Sequence, residues 1–301
     1  MNKTVSISAL CCVIAVVATC RAAAQETEEV ERLTDDVRPI PERPHRSPWE
    51  VSFEAAWLPG SGDSELGGTM GNVKAGFARG FNISPRFELS AGLHYSLFEI
   101  DASESARLPK SLHAFSVSLD GEYRTSERLI LGISVSPRVS SDFKSFAASD
   151  VRVPMAFHAN WQVSHSLSLL GGIAYSGQNR PSRVLPVIGV LYLPSERWAF
   201  ALGFPRTGVI VKPNRKTELF VTGEFSGGEF RLHDSSLGAS SISYWDRRAV
   251  AGADIQLSPF VQLGISGGYA FSKKFVFSEG SRSDVNLDGT PFVRLSTKLA
   301  W

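Results

Sequence analysis

Apolar side chains recur at every second position over much of this chain, and this period is the feature that most constrains its fold. Between residues 86 and 97, an apolar series that runs from Phe87 to Leu97 alternates with a polar or small series that runs from Arg86 to Ser96. Successive side chains of a β-strand point to opposite faces. The pattern therefore predicts a strand with one face in an apolar medium and the other in water. It returns repeatedly from Trp49 to Trp301, which predicts an all-β fold.

The first 24 residues have the order of a secretory signal. Lys3 supplies the positive start, residues 5–18 form an apolar run, and three alanines precede Gln25. The run is too short for a dependable membrane helix. We therefore predict a signal peptide that is cleaved after Ala24.

All the cysteines of the chain lie inside that signal, at Cys11, Cys12 and Cys20. The processed chain would then carry none, so no disulfide would support its core. An alternative is that Cys20 becomes a lipidated N-terminus, because residues 17–20 resemble a lipoprotein motif. Cleavage after Ala24 also removes two basic residues and no acid, which changes the formal net charge from +1 to −1. No attraction to nucleic acid is expected at that charge.

Residues 25–48 are acidic at first and then rich in Pro and Arg, and they show no apolar period. This composition predicts a disordered periplasmic tail. It would act as a spacer or as a contact for a periplasmic partner.

Fourteen candidate strands follow the tail, and short turns alternate with longer polar links between them. The short turns include residues 82–85, 125–127 and 258–259, and the long links include 138–150 and 227–243. The pair around 197–212 is the least regular, so a twelve-strand count stays open. The candidate strands are 49–58, 70–81, 86–98, 112–124, 128–137, 151–163, 167–176, 183–193, 197–204, 207–212, 217–226, 244–257, 260–272 and 291–301.

Beyond the signal, charged residues interrupt every window that could form a membrane helix. A chain embedded in lipid would therefore have to be a closed sheet. A soluble barrel would alternate as well, with its apolar face inward. Aromatic placement favours the membrane: Trp and Tyr on the apolar face gather at the strand ends, as in the girdles of a lipid-facing wall. The girdle candidates are Trp49, Trp57, Phe87, Tyr95, Tyr123, Trp161, Tyr175, Trp198, Trp245, Tyr269 and Trp301.

The chain ends in an alternating strand, residues 294–301, whose last residue is aromatic. Together with the signal and the strands, this end resembles that of a bacterial outer-membrane β-barrel. The resemblance covers about residues 49–301. It implies a porin-like, up-and-down antiparallel transmembrane barrel in the outer membrane of a Gram-negative-type bacterium, with both termini periplasmic. Leu299 and Trp301 resemble the signal read by the barrel-assembly machinery, with Trp in place of the usual Phe. That machinery and outer-membrane lipid are the implied partners.

Residues 185–192, 198–200 and 204–214 are similar to an outer-membrane barrel family of unknown function. This closer resemblance covers a small part of the chain and implies no activity.

The polar face of the strands would line the interior of such a barrel, and it carries charges of both signs. In a wide, wet lumen these groups would shape an ion-selective field, whereas in a narrow one they would pair with each other. Both roles stay open, and the 227–243 loop is long enough to fold inward and narrow a pore. The lumen candidates are Glu50, Glu54, Lys74, Arg86, Glu88, His94, Asp120, Glu122, Arg124, Arg128, Arg152, His158, Glu218, Glu224, Arg248, Asp254, Arg294 and Lys298.

The predicted barrel leaves three classes of function open. The first is a passive channel for small hydrophilic solutes, and the second is a closed barrel that acts as an anchor or interaction scaffold. The third is a membrane hydrolase that uses His94 or His158, with the Gly-x-Ser-x-Gly spelling at 264–268 as a weak nucleophile motif. We predict no catalytic site.

No cofactor and no metal site is predicted either. Residues 284–289 begin like a calcium loop, but the expected Glu would fall at Leu295. A simple turn rich in Asp, Asn and Gly is the expectation for this segment.

Overall fold

The structure, a computed structural model, describes residues 49–60, 68–177, 184–203 and 206–301. The predicted signal, its cleavage point and the 25–48 tail lie outside these residues. The seventeen strands are β1 (Trp49–Leu58), β2 (Thr69–Ser84), β3 (Phe87–Asp101), β4 (Ser111–Ser126), β5 (Leu129–Val135), β6 (Arg138–Ser141), β7 (Val151–Arg152), β8 (Met155–Ser164), β9 (Leu167–Tyr175), β10 (Val184–Ser195), β11 (Trp198–Gly203), β12 (Arg206–Asn214), β13 (Thr217–Arg231), β14 (Ala239–Ser258), β15 (Val261–Gly280), β16 (Val285–Leu287) and β17 (Thr290–Ala300).

Fourteen of these strands form a closed antiparallel ring, and the short strands β6, β7 and β16 are additions to it. The ring closes where β1 pairs with β17, from Glu50 opposite Ala300 to Trp57 opposite Val293. Two backbone hydrogen bonds of 3.0 Å join Trp49 to Trp301 and tie the chain ends together. The predicted up-and-down barrel is confirmed.

The strand count of fourteen is confirmed as well, because β11 and β12 belong to the wall. β11 pairs with β10 on one side and with β12 on the other, and β12 pairs with β13. The short turns and the two paired ends lie at one end of the barrel, which we call the turn end. The longer links lie at the opposite, loop end. Of the described residues, only three short 3-10 turns are helical, and no helix is long or apolar enough to cross a membrane.

The 227–243 segment is mostly strand and not the long loop that the sequence predicts, although Leu232 and Leu237 between its strands do pack in the interior. Residues 227–231 continue β13 and residues 239–243 begin β14, so the two strands form a long hairpin with an unbroken ladder from Thr217–Ile255 to Arg231–Ser241. The physical reason is that a ladder satisfies the backbone donors and acceptors that a Gly- and Ser-rich loop would leave to water.

Large apolar side chains cover the outside of the wall. Those on the predicted apolar face, such as Phe53, Phe157, Ile188 and Leu295, are exposed. A surface of this kind is stable against hydrocarbon and not against water. The apolar face of the alternating strands therefore faces outward.

The interior near the loop end is apolar too, and the sequence pattern did not predict this. A cluster of buried side chains fills it, contributed by β1–β4, β13–β15 and β17. A bulge in β15 supplies two of its members, because Ser272 has a φ of 55° and the pairing with β14 slips there. Beyond the bulge, Phe275 and Phe277 are buried and Lys274 is not. One extra residue has exchanged the two faces of the strand.

Truncation of the fully buried Phe275 tests this cluster. We expect Phe275→Ala to lower the free energy of unfolding in detergent by about 3–5 kcal/mol, because it removes buried area and leaves a cavity. Phe146→Ala is the control, since Phe146 is 68% exposed. The measurement is denaturant unfolding followed by tryptophan fluorescence and by heat-modifiable gel mobility. Equal losses in both variants would contradict the packed interior.

Candidate functional site: the interior of the barrel

Inward-facing ion pairs become progressively more buried from the turn end toward the loop end. At the turn end Lys298 pairs with Glu50 at 2.9 Å, and their side chains are 49% and 39% exposed. Lys212 pairs with Glu218 at 3.1 Å in a similar setting. Water therefore reaches the inner wall from this end. We call this half of the interior the vestibule.

A chain of charges crosses the middle of the interior. Lys74 lies 3.6 Å from Glu54, which lies 4.0 Å from Arg294. Arg294 also donates to both carboxylate oxygens of Glu224, at 3.0 and 3.4 Å, and to the Ser266 hydroxyl at 2.9 Å. Arg294 on β17 and Glu224 on β13 lie three strands apart in the ring, so these contacts brace the wall across β14 and β15.

The deepest pair is Asp246 with Arg248, both on β14. The Arg248 guanidinium donates to the two Asp246 oxygens at 2.9 Å, and the side chains are 0% and 5% exposed. Tyr244 also donates its hydroxyl to Asp246, and Arg248 lies over the ring of Phe292 at 5.1 Å. This layer is where the vestibule meets the apolar cluster.

The deep pair predicts a clear mutational effect. Arg248→Met would leave the Asp246 carboxylate buried without its cation, which costs about 3–5 kcal/mol of unfolding free energy. Lys298→Met is the matched control, because the Lys298–Glu50 pair is solvated and such pairs contribute little. Denaturant midpoints of the two variants in the same detergent provide the comparison. A Lys298→Met loss as large as that of Arg248→Met would contradict the gradient of burial.

The other lumen candidates lie at several depths. Arg86, Arg124 and Arg128 are exposed at the turn end, and Arg86 and Arg128 lie in turns outside the strands. Glu88, Asp120 and Asp254 are half-buried on their strands, and Glu122 and His158 are buried. A Cβ on Gly132 would lie 2.2 Å from the His158 ring, so glycine at that position makes room for the histidine.

The loop end is closed by contacts between opposite walls. β6 pairs with β4, from Ser116 opposite Arg138 to His113 opposite Ser141, and Ser141 then pairs with Arg231 of β13. β4 and β13 lie seven strands apart in either direction around the ring of fourteen. The chain therefore spans the interior at this level.

Side chains strengthen this closure. The Asp142 carboxylate accepts the backbone N–H groups of His233 and Asp234, each at 3.1 Å, and the His233 ring meets Asp150 at 2.8 Å. Lys144 pairs with Asp234. We call the contact of residues 141–150 with residues 231–234 the latch. Segment 142–150, which the sequence did not single out, narrows the interior together with residues 231–234 of the 227–243 segment.

The Lys144–Asp234 contact makes one part of the latch sensitive to strong acid. Hydrogen bonds from Lys144 and from Ser236 lower the pKa of Asp234 from 3.8 to about 2, and the bond to Asp234 raises the pKa of Lys144. A carboxyl with a lowered pKa stabilises the folded contact above its ordinary pKa. That contribution is lost as the pH falls from 3.8 through about 2.

We therefore expect segment 142–150 to be cut by pepsin, at Phe143 or Phe146, more readily at pH 2 than at pH 4. Lys144→Met should be cut readily at both pH values, because it lacks the pairing at either. The ratio of the two proteins' cleavage rates at each pH, measured by mass spectrometry, removes the protease's own pH dependence. A ratio that does not change between pH 4 and pH 2 would contradict the role of this pair.

The hydrolase candidates do not form a recognisable triad. His94 lies 3.1 Å from the Ser118 hydroxyl, but the Asp120 carboxylate accepts from Ser90 and Ser134. The Gly-x-Ser-x-Gly spelling lies within β15, and its Ser266 accepts a hydrogen bond from Arg294. A nucleophile of that motif stands on a turn between strand and helix, which is absent at this position.

The calcium-like segment is not the simple turn that its sequence predicts. Val285–Leu287 forms β16 against residues 273–275 of β15, and Asp284 pairs with Lys274 at 2.7 Å. β15 extends beyond its pairing with β17, which ends at Ala270 opposite Thr290, and this extension provides the backbone edge that β16 uses. In the parts of the chain that the structure describes, no three His, Cys, Asp or Glu side chains are grouped to hold a metal ion.

The aromatic candidates lie on the outside of the barrel at both ends. Seven are exposed, and Trp49, Phe87, Tyr175 and Trp245 are half-buried. Arg79 stacks over Trp49 at 4.4 Å, which covers part of that ring. The exposed members are Trp57, Tyr95, Tyr123, Trp161, Trp198, Tyr269 and Trp301.

Sequence reasoning missed Arg138, Glu229 and Asp246. The sequence predicts long links at 138–150 and 227–243, yet Arg138 and Glu229 lie on β6 and β13. The phase of the neighbouring residues could have identified Arg138 and Asp246, because both continue an even-numbered series of buried, inward side chains. Glu229 carries no such signal, because the buried inward series of its strand is even-numbered.

Comparison with known proteins provides a family and a fold. A family model described as "Domain of unknown function (DUF6268)" matches residues 85–289. An outer membrane channel from Pseudomonas putida F1 has a TM-score of 0.50 at 12% identity, over 86% of this chain and 97% of the channel. A FadL homologue from Pseudomonas aeruginosa has a TM-score of 0.51 at 10% identity, over 84% of this chain and 90% of the homologue. A mutant of the TodX monoaromatic hydrocarbon channel has a TM-score of 0.50 at 10% identity, over 86% and 91%.

Identities this low show a shared fold and nothing more. No curated protein matches the chain in sequence. The resemblance to a bacterial outer-membrane β-barrel, inferred from the alternating strands, is confirmed at the level of the fold.

Proposed function

Because the chain belongs to the DUF6268 family, whose function is unknown, we propose its function from the geometry. It is an outer-membrane channel for small hydrophilic solutes, and the latch closes it at the loop end in the conformation described. Solute would enter the vestibule from one side and leave past the latch on the other.

The observation that carries this proposal is the gradient of burial along the inner wall. A barrel built only as an anchor gains stability by filling its interior from end to end. Here charged side chains such as Lys298 and Glu50 line a wet vestibule that reaches the middle of the barrel. The loop-end half is filled, and a second buried apolar cluster on β8–β11, which includes Leu170, Val187 and Leu191, fills one side of the interior toward the turn end. The crossing at the loop end consists of hydrogen bonds and ion pairs between loop segments.

The location and assembly of the barrel belong to the same proposal. The signal would be cleaved after Ala24, and Leu299 and Trp301 at the end of the chain would be read by the barrel-assembly machinery. Both termini would then be periplasmic, so the vestibule would open to the periplasm and the latch would face outward. The channels of similar fold support the outer membrane as the location. The chemistry of the inner wall calls for no cofactor.

A closed scaffold is the second candidate, and one observation favours it. The apolar cluster at the loop end is large and well buried, with Tyr244, Phe275 and Leu58 among its fully buried members. Opening a route through it would require more than release of the latch. A conductance experiment separates the two candidates.

Locking the latch with a disulfide tests the channel. Ser141 and Arg231 are direct backbone partners across the interior, so Ser141→Cys with Arg231→Cys places two thiols within reach. The mature chain is predicted to contain no other cysteine. In planar bilayers we expect discrete conductance steps from the wild type, none from the oxidised double variant, and their return with reductant. Ser141→Cys alone, treated with the same oxidant, is the control.

Silence of both the wild type and the reduced variant at all voltages would reject the channel and favour the scaffold. Steps of wild-type size from the oxidised variant would show that solute bypasses the latch.

A further inference from the structure

Two arginines face each other just below the latch. Arg138 on β6 and Arg152 on β7 are direct antiparallel partners, and both lie on the inward face. Like charges in such positions repel, whereas the inward partners Glu54 and Lys74 have opposite charge. The pair therefore lowers the stability of the barrel unless something negative lies between its members.

The protein supplies little negative charge there. Among the described residues, neither Arg138 nor Arg152 has a carboxylate within 4.0 Å, and Arg152 donates only to the Ser149 carbonyl, at 3.1 Å. The Arg138 Nε and one terminal nitrogen of Arg152 are buried without any hydrogen-bond partner. Buried guanidinium donors that lack an acceptor carry the full cost of desolvation.

The nearby acids are mostly engaged elsewhere. Asp150 is bound to His233, and Glu279 is bound to Arg231. This leaves Glu229, whose buried carboxylate oxygen also lacks a partner among the described residues. The charged groups that line the adjoining cavities are Lys74, Arg138, Arg152 and Arg231 against Asp150 and Glu229, so positive groups are in excess there.

A cavity adjoins these groups. Arg138, Glu229 and Lys74 line its polar side, together with Ser140, and its volume is about 50 Å³. Phe98, Ala114, Phe230 and Tyr244 line its apolar side. A second, smaller cavity is lined by three arginines and two acids, namely Arg138, Arg152, Arg231, Asp150 and Glu229. The cavity volume exceeds what one water molecule needs, and the lining includes both charged and apolar side chains.

From these observations we propose that Arg138 and Arg152 bind the carboxylate of a short organic acid whose apolar chain lies against Phe98 and Tyr244. The planar guanidinium groups offer the paired donors that a carboxylate accepts. The acid would balance the excess charge and reach the site through the vestibule, past the half-exposed Lys74. The proposal rests on the proposed channel function in one respect: such acids would be the class of solute that the channel carries.

Calorimetric titration of the full-length, detergent-solubilised barrel tests the site. Butyrate is the probe, and butyramide is its neutral counterpart. We expect butyrate to bind and butyramide not to bind. Arg152→Gln should weaken butyrate binding about tenfold or more, because a charge-assisted pair of hydrogen bonds is lost. Arg152→Lys should lie in between, since it keeps the charge and loses the fork. Arg215→Gln, in an exposed turn, is the control.

Three results would overturn the site: equal binding of butyramide, unchanged butyrate binding by Arg152→Gln, or binding of inorganic phosphate without binding of butyrate. Heat-modifiable mobility of each variant shows that it is folded. Conductance separates this proposal from the channel. Butyrate binding to a silent barrel would support the site and reject the channel. Conductance steps without butyrate binding would support the channel and reject the site.

Discussion

Closure of the sheet is the constraint on which the rest of this structure depends. A strand ladder in an apolar medium must have no free edge, because each unpaired N–H or C=O there costs several kcal/mol. The pairing of β1 with β17 removes the last edge. Once the ring is closed, the period of two assigns every wall residue to lipid or to the interior. The interior can then vary in polarity without affecting the wall.

The interior uses that freedom in two ways. Near the turn end, charged side chains stay solvated and pair across strands, as Lys298 does with Glu50. Near the loop end, the inward positions are aromatic and aliphatic and they pack as a soluble core does. Ion pairs that are buried at the boundary, such as Asp246 with Arg248, contribute little net stability but strongly disfavour any rearrangement that separates them. The boundary layer therefore holds the shape on which the cavity above it depends.

Much of the fold could be predicted from the sequence, because strand period and turn chemistry are local. Such signals predict the fourteen strands, the closure of the barrel and its apolar outer face. The slip at Ser272 could not be predicted, since a bulge is stabilised by the tertiary packing of Phe275 and Phe277. Contacts between residues three strands apart, such as Glu224 and Arg294, depend on how the strands are staggered around the barrel. The sequence of a single strand does not contain that information. The latch depends on a contact across the whole interior, so its residues resembled an ordinary polar loop.

The facing arginines are informative because like charges rarely lie opposite each other on the inner wall. Glu224 lies opposite Arg248 in the ladder, and such opposite charges stabilise a sheet. Glu88 and Glu122 form another like-charged pair. A backbone hydrogen bond joins Arg86 to Arg124 just beyond it, which keeps positive charge close by. Among the described residues, the acids that share a cavity with Arg138 and Arg152 are Glu229 and Asp150, and Asp150 is bound to His233. A site whose residues are unfavourable alone, beside a cavity that can admit a counter-ion, is arranged for a ligand and not for stability.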